Sequence, residues 1–497
     1  MNAMPPHRLS RSTLRTLDPA HRPLVDPAEL RPAIVHFGLG AFHRAHQAVY
    51  TEAAAARSGQ PWGIVAVGPH SPGPVEALRA QDGLFSVSEL SVSERRPDAG
   101  ATRVVGSVID VLMMRGDAGR LADLIAAPEV TTVTLTVTEK GYSRRPDTGL
   151  LDTTLPEVAA DLAATASGGP AVMTTVIGAL TASLAARFRS CGAPINVISC
   201  DNAAANGTAL AGIVCEFAQA AAWPDRDAML DWLRTSVAFP STVVDRIVPA
   251  TTTEDMATAA TALGVRDEMA VTGEPFRQWV LEDRFAAARP AWELDGALVV
   301  PDVAPYQLMK LRLLNGSHSA LAYLGLAAGC GTVSQVLQTD WGERMVRRFA
   351  AEVAATVPDA GLDTAGYIDT LIERFANPAV CHRLSQIGSD GSLKIPERWL
   401  GALHTLRASG AGAPMLTLAL AAWVNATRPD RGTGQIFGTG DPAAASLARC
   451  WQESPDPKTV VARLLTTIGA ADTAADTVLV SSIVNHLPAL RAGRIEL

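Results

Sequence analysis

A chain of 497 residues exceeds what one hydrophobic core usually serves, so two domains are expected. Its net charge of −8 lacks the basic footprint of a protein that binds nucleic acid or anionic membranes. Six scattered cysteines show no CxxC or Cys/His ligand spacing, which argues for a reducing compartment and against a structural zinc site.

Residues 1–30 are rich in proline and arginine and read as an irregular arm without the apolar core of a signal peptide. No apolar run reaches spanning length, so a cytoplasmic location is expected, with no membrane or nucleic-acid partner. "AIVHF" (33–37) reads as a strand, "HRAHQAVYTEAAAAR" (43–57) as a helix and "WGIVAV" (62–67) as a second strand, closing a βαβ unit. Further strands are expected at 84–90, 130–138 and 194–199, with helices near 117–127, 173–188 and 205–222. This alternation predicts a doubly wound α/β sheet. The stretch 274–292 is read as the crossing between domains. Beyond about residue 300 the segments 306–329, 339–356, 364–375, 396–409, 413–425 and 457–468 look helical, so the domains are drawn at 31–295 and 296–497, the second mostly α-helical.

In "FGLGAFHRAH", Gly38 permits a tight turn and Gly40 lets a pyrophosphate approach the backbone at a helix N-terminus. His43 stands where a dinucleotide fingerprint has its third glycine, and a plain turn remains an alternative. The second strand ends without the acid that would hold the NAD ribose, so NADP stays open.

"KLRLLNGSHSALAYLG" (310–325) places Lys310, Arg312, Asn315 and His318 in an apolar helix of a chain with only four lysines. At about 100° per residue, His318 lies about 80° and Asn315 about 140° from Lys310, so the three share one sector. Gly316 suggests a close approach to the backbone. A snorkelling lysine and a satisfied core histidine are the structural alternative. "NVISCDN" (196–202) sets Asp201 and Asn202 just past a strand end, where open α/β sheets bind ligands, although either could simply cap the next helix.

Together "IVHFGLGAFHRAHQAVYTE", "TVTEKGY", "SCDN…NG", "FPSTVVDRIVP", "EPFRQWVLED" and "KLRLLNGSHSALAYLG" resemble the mannitol dehydrogenase family, long-chain, metal-independent dehydrogenases of polyols and sugar acids. The resemblance covers residue 30 to the C-terminus and implies an N-terminal Rossmann-type domain, a helical C-terminal domain and a nicotinamide cofactor, NAD or NADP, between them. It implies that Phe37, Gly38, Gly40, Ala41, Phe42, Arg44, Thr138 and Glu139 contact the cofactor. The family pattern Lys-x4-Asn-x2-His falls on Lys310, Asn315 and His318, and its oxyanion asparagine resembles Asn202. By that resemblance Lys310 is the general base, and its pKa must fall below the usual ~10.4, as desolvation would make it do. Asn202 and Asn315 would donate to the developing alkoxide, and His318 would orient hydroxyls. Relatives often have an acid three residues before the lysine; here Gln307 stands there, so the proton needs a water chain or another acid.

The family splits between polyols such as mannitol and aldonates such as mannonate. A carboxylate substrate calls for a cation, and Lys140, Arg312, His382, Arg383 and Lys394 are candidates, each with an ordinary ion-pair role as the alternative; Asp245 joins the substrate set through the resemblance. The balance tips to mannonate/fructuronate, with mannitol/fructose as runner-up. A non-catalytic dinucleotide-binding protein is the competing class, against which Lys310, Asn315, His318 and Asn202 stand together.

Overall fold

The computed structural model describes residues 7–90, 102–137, 139–145, 148–167, 172–380, 382–429 and 440–497, without the side chains of residues 139, 140 and 167. The chain forms two compact units, Met1–Val303 and Ala304–Leu497.

The first unit is built on a six-stranded sheet. It contains β1 (Arg31–Phe37) and β2 (Trp62–Gly68). Across the sheet the order is Val108–Met113, β2, β1, Thr132–Leu135, Ile195–Ser199, Val237–Ala238, and every pairing is parallel. Counted along the chain this is 3-2-1-4-5-6, the dinucleotide-fold order, which reverses between β1 and Thr132–Leu135. Both faces are covered, which explains unbroken apolar strands. Val35, Phe37, Val65 and Val67 enter one core, while Ile34, Ile64 and Ala66 enter the other.

Several expectations needed correction. The helix after β1 is two helices, α1 (Ala41–Ala45) and α2 (Gln47–Ser58), broken at His46 (φ −127°, ψ −86°), whose Nε2 lies 2.8 Å from the Gln278 carbonyl. Residues 84–90 do contain a strand, Phe85–Glu89. It belongs to a separate three-stranded sheet with Thr102–Val105 and Val271–Gly273. Residues 274–292 do not cross between domains: Gln278–Glu282 pairs with Thr242–Asp245 and Leu298–Val300, and Trp279 is fully buried in the first unit. Alternation of small sheets with long loops left no periodic signal there.

The second unit is helical. Helix Pro414–Ala426 is buried on all sides from Met415 onward and serves as its axis. Helix Ala304–Met309 continues into a π-helical turn, Lys310–Gly316, and then into helix Ser317–Ala327. A second π turn, Pro396–Leu400, precedes helix Gly401–Ala408. Among the described residues no helix is long and apolar enough to cross a membrane.

Candidate active site

In the first unit the polar groups gather where the sheet order reverses. Gly38 has φ +126°, and a Cβ there would lie 2.5 Å from the Thr136 carbonyl oxygen, so only glycine fits. That wall is fixed, since His36 Nε2 sits 2.8 Å from the Thr136 hydroxyl and the Thr136 N–H donates to the Phe37 carbonyl. Gly40 precedes the first turn of α1, and a Cβ on it would meet nothing within 4 Å. An anion therefore has open access to the α1 amides. In place of the missing third glycine, the His43 ring stacks on His36 with centroids 3.4 Å apart. Burial holds both rings neutral, His43 at a pKa of about 3.

The other predicted residues of this turn do different things. Phe37 is fully buried in the core. Phe42 stacks on His46 at 4.9 Å, and Ala41 stays partly exposed. Arg44 is buried, donates to the Leu39 carbonyl and has its pKa lowered to about 10 by burial. It braces the turn from inside. Thr138 and the side chains of Glu139 and Lys140 lie outside the described residues.

At the end of strand Ile195–Ser199, Asn202 is exposed on a turn that neighbouring groups hold rigidly. Tyr142 donates its hydroxyl to Asp201 (2.6 Å), the Val137 N–H donates to the same carboxylate (3.2 Å), and Asn206 Nδ2 donates to the Asp201 carbonyl (2.8 Å). Burial pushes the Asp201 carboxyl up to about 6 against those two donors. Asn202, Asp201, Tyr142 and Arg144 line a cavity of about 240 Å³. Sequence reasoning missed Tyr142 and Asn206, although the tyrosine stood in "TEKGY". Asp245 is buried at the end of its strand.

In the second unit the π turn reshapes the expected geometry. Bonds from i to i+5 turn each residue through less than 100°, so Asn315 swings closer to the Lys310 sector than an α-helix would allow. Lys310 is buried (8 % exposed), while Leu311, Asn315 and His318 form a partly exposed strip. Gly316 is explained by packing: a Cβ there would lie 3.1 Å from the Phe349 ring. Widening a helix frees carbonyls from their usual partners, and the second π turn supplies donors. Trp399 Nε1 donates to Gly316 O (3.1 Å) and Arg398 Nη1 to Asn315 O (3.4 Å) and Ser319 Oγ (2.7 Å).

His318 stacks on Phe375 (5.2 Å) and lies 5.0 Å from the His382 ring. Among the described residues its buried Nε2 has no hydrogen-bond partner, and burial, followed by the neighbouring His382, Arg398, Arg374 and Lys394, lowers its pKa well below the usual value. The predicted cations divide. His382 and Lys394 act on His318, whereas Arg383 is exposed and Arg312 donates to the Thr356 carbonyl. Arg374 and Arg398 were missed; Arg398 stands four residues past Lys394, a spacing that could have pointed to it.

Residues 32–294 match the mannitol dehydrogenase Rossmann domain and 302–491 the mannitol dehydrogenase C-terminal domain. The chain belongs to the mannitol dehydrogenase family. It is 39 % identical over 457 residues to the oxidoreductase YdfI of Escherichia coli K12, covering 89 % of each chain. It is 37 % identical to the D-mannonate oxidoreductase of that organism, covering 87 % of each. Among solved structures it resembles Pseudomonas fluorescens mannitol 2-dehydrogenase in ternary complex with NAD and D-mannitol, at 33 % identity, TM-score 0.78 and 97 % of each chain. The fold and oxidoreductase class expected from the motifs are thereby established, and the substrate is left between an aldonate and a polyol.

Proposed function

We propose that this dehydrogenase oxidises a secondary alcohol of a sugar acid to the ketone, with D-mannonate and D-fructuronate as the pair. NAD fits the first unit: Gly40 leaves the α1 amides open to a pyrophosphate, and the strand order reverses beside them. When bound it supplies the hydride acceptor. Lys310, as the neutral amine, takes the hydroxyl proton while the carbon gives up hydride. Asn315 and Asn202 stabilise the negative charge developing on that oxygen, and the neutral His318 imidazole hydrogen-bonds a substrate hydroxyl.

The observation that favours a sugar acid is the field around His318. Arg398, Arg374 and Lys394 all act on its ring, and each is basic. Such surroundings attract a carboxylate and give a neutral polyol nothing comparable. The 37 % identity to a D-mannonate oxidoreductase supports the same choice. Mannitol is the second reading, favoured by the structural likeness to a mannitol complex. Steady-state NADH formation with D-mannonate, D-altronate, D-mannitol and D-arabinitol, each with NAD and NADP, tests it. The highest kcat/KM is expected for mannonate with NAD; turnover of polyols but of neither aldonate would overturn the assignment.

A further inference from the structure

Four basic side chains act on the His318 ring, and they differ in what already neutralises them. Lys394 is committed: its Nζ donates to the carbonyls of Ser389 (2.7 Å) and Ile387 (3.3 Å) and lies 3.9 Å from Asp390. His382 is drawn toward its neutral form by burial and by Arg374. Arg374 is buried within helix Thr364–Ala376. Arg398 stands apart. Its partners are a hydroxyl and a main-chain carbonyl, both on the polar helix and both uncharged.

Among the described residues no carboxylate forms an ion pair with Arg398. Of the groups that raise its basicity, Glu397 is exposed and the Tyr323 phenol, its pKa raised by burial, stays protonated and uncharged. Nη1 carries both of its bonds, which leaves Nε and Nη2, the side-on edge of the guanidinium, without a partner among the described residues. A guanidinium taken largely out of water and left without a counter-ion is costly, and a bound anion would recover that cost. The free edge is the one that grips a carboxylate through two parallel hydrogen bonds. Its anchored edge fixes it beside Asn315 and one turn from His318.

We infer that Arg398 receives the carboxylate of the sugar-acid substrate and thereby selects aldonates over neutral polyols. This rests on the sugar-acid assignment above. Arg398 is then a specificity residue with a second duty, since the same group donates to the Asn315 carbonyl of the π turn.

The test compares wild type, Arg398→Met and Arg398→Lys in steady-state oxidation of D-mannonate and D-mannitol, with NAD titration and thermal melting as folding controls. Losing a charge-assisted pair should lower mannonate kcat/KM on the order of 10- to 100-fold more than mannitol kcat/KM, chiefly through KM. Lysine should restore part of the difference. Equal losses on both substrates would reduce Arg398 to a support of the helix, and no loss would remove it from the site. If Arg398→Met fails to fold, the lysine variant decides, because a point charge without the fork should still separate the two substrates. Wild type turning over mannitol but no aldonate would sink the sugar-acid assignment on its own. In that event inhibition of mannitol oxidation by mannonate still decides for Arg398. Weaker inhibition in the methionine variant sustains it, and absent or unchanged inhibition overturns it.

Discussion

The two units differ in how they bury the polar side chains beside their candidate sites. Around the Asn202 turn and the end of β1 the first unit supplies partners of its own, although Arg44 Nε and Gln47 Oε1, just past the glycine turn, are buried without one among the described residues. His36 is held by two threonines, Asp201 by Tyr142 and Val137, and Arg246 by the Glu274 and Ala45 carbonyls and Glu89. Around the polar helix the second unit leaves needs unmet: among the described residues His318 Nε2 has no hydrogen-bond partner and Arg398 no carboxylate. A network complete in itself is scaffolding; one that is incomplete is shaped for something that arrives.

The contrast is broken most severely at Lys310. Lys310→Ala should lower kcat by roughly 10²–10⁴-fold while NAD affinity, read by fluorescence titration, barely moves. Comparable turnover in that variant would remove Lys310 as the base. Gly38→Ala should do the converse, because its Cβ meets the Thr136 carbonyl and its φ is strained for any other residue. A loss of about 3 kcal/mol in stability and at least about tenfold weaker NAD binding are expected from denaturation and titration.

The Asn202 turn offers a pH test. The native Asp201 carboxyl holds its proton up to about pH 6, whereas the unfolded one releases it near 3.9. Between those values the native state binds more protons, so this group's contribution to stability falls as pH rises through them. Asp201→Asn should flatten that part of the stability–pH curve. Tyr142→Phe should steepen it, costing about 1–2 kcal/mol more at pH 8 than at pH 4, because the charged carboxylate loses its best donor. Equal losses at both pH values would show that the hydroxyl does not serve the carboxylate. The smallest effect belongs to Gly316→Ala, where Phe349 must yield a few tenths of an ångström. About 1 kcal/mol of stability should be lost by thermal melting.

Much of this was legible. A strand, Gly-x-Gly and a helix near the start located the dinucleotide half, because parallel strands buried on both faces advertise themselves as unbroken apolar runs. Lys310, Asn315 and His318 stood out because polar groups in an apolar helix demand a reason. Less was legible wherever partners are distant in sequence. Nothing local announces that Tyr142 will meet Asp201, or that Trp399 and Arg398 will serve carbonyls on the polar helix. The acceptor that Arg312 finds at Thr356 is equally remote in sequence. The break at His46 was hidden too, because the strand carrying the Gln278 carbonyl comes more than two hundred residues later.

The π turn at Lys310–Gly316 amounts to one surplus residue wound into an otherwise regular cylinder. Six α-helical residues turn through about 600°, much as seven π-helical ones do, so deleting one position within it would regularise the coil and leave Ser317–Ala327 facing as before. Ala320, Leu321 and Leu324 would keep their places in the hydrophobic interior. The inserted residue thus sets the reach from Lys310 to Asn315 without holding the rest of the unit in place, so a deletion there should be felt in catalysis more than in assembly.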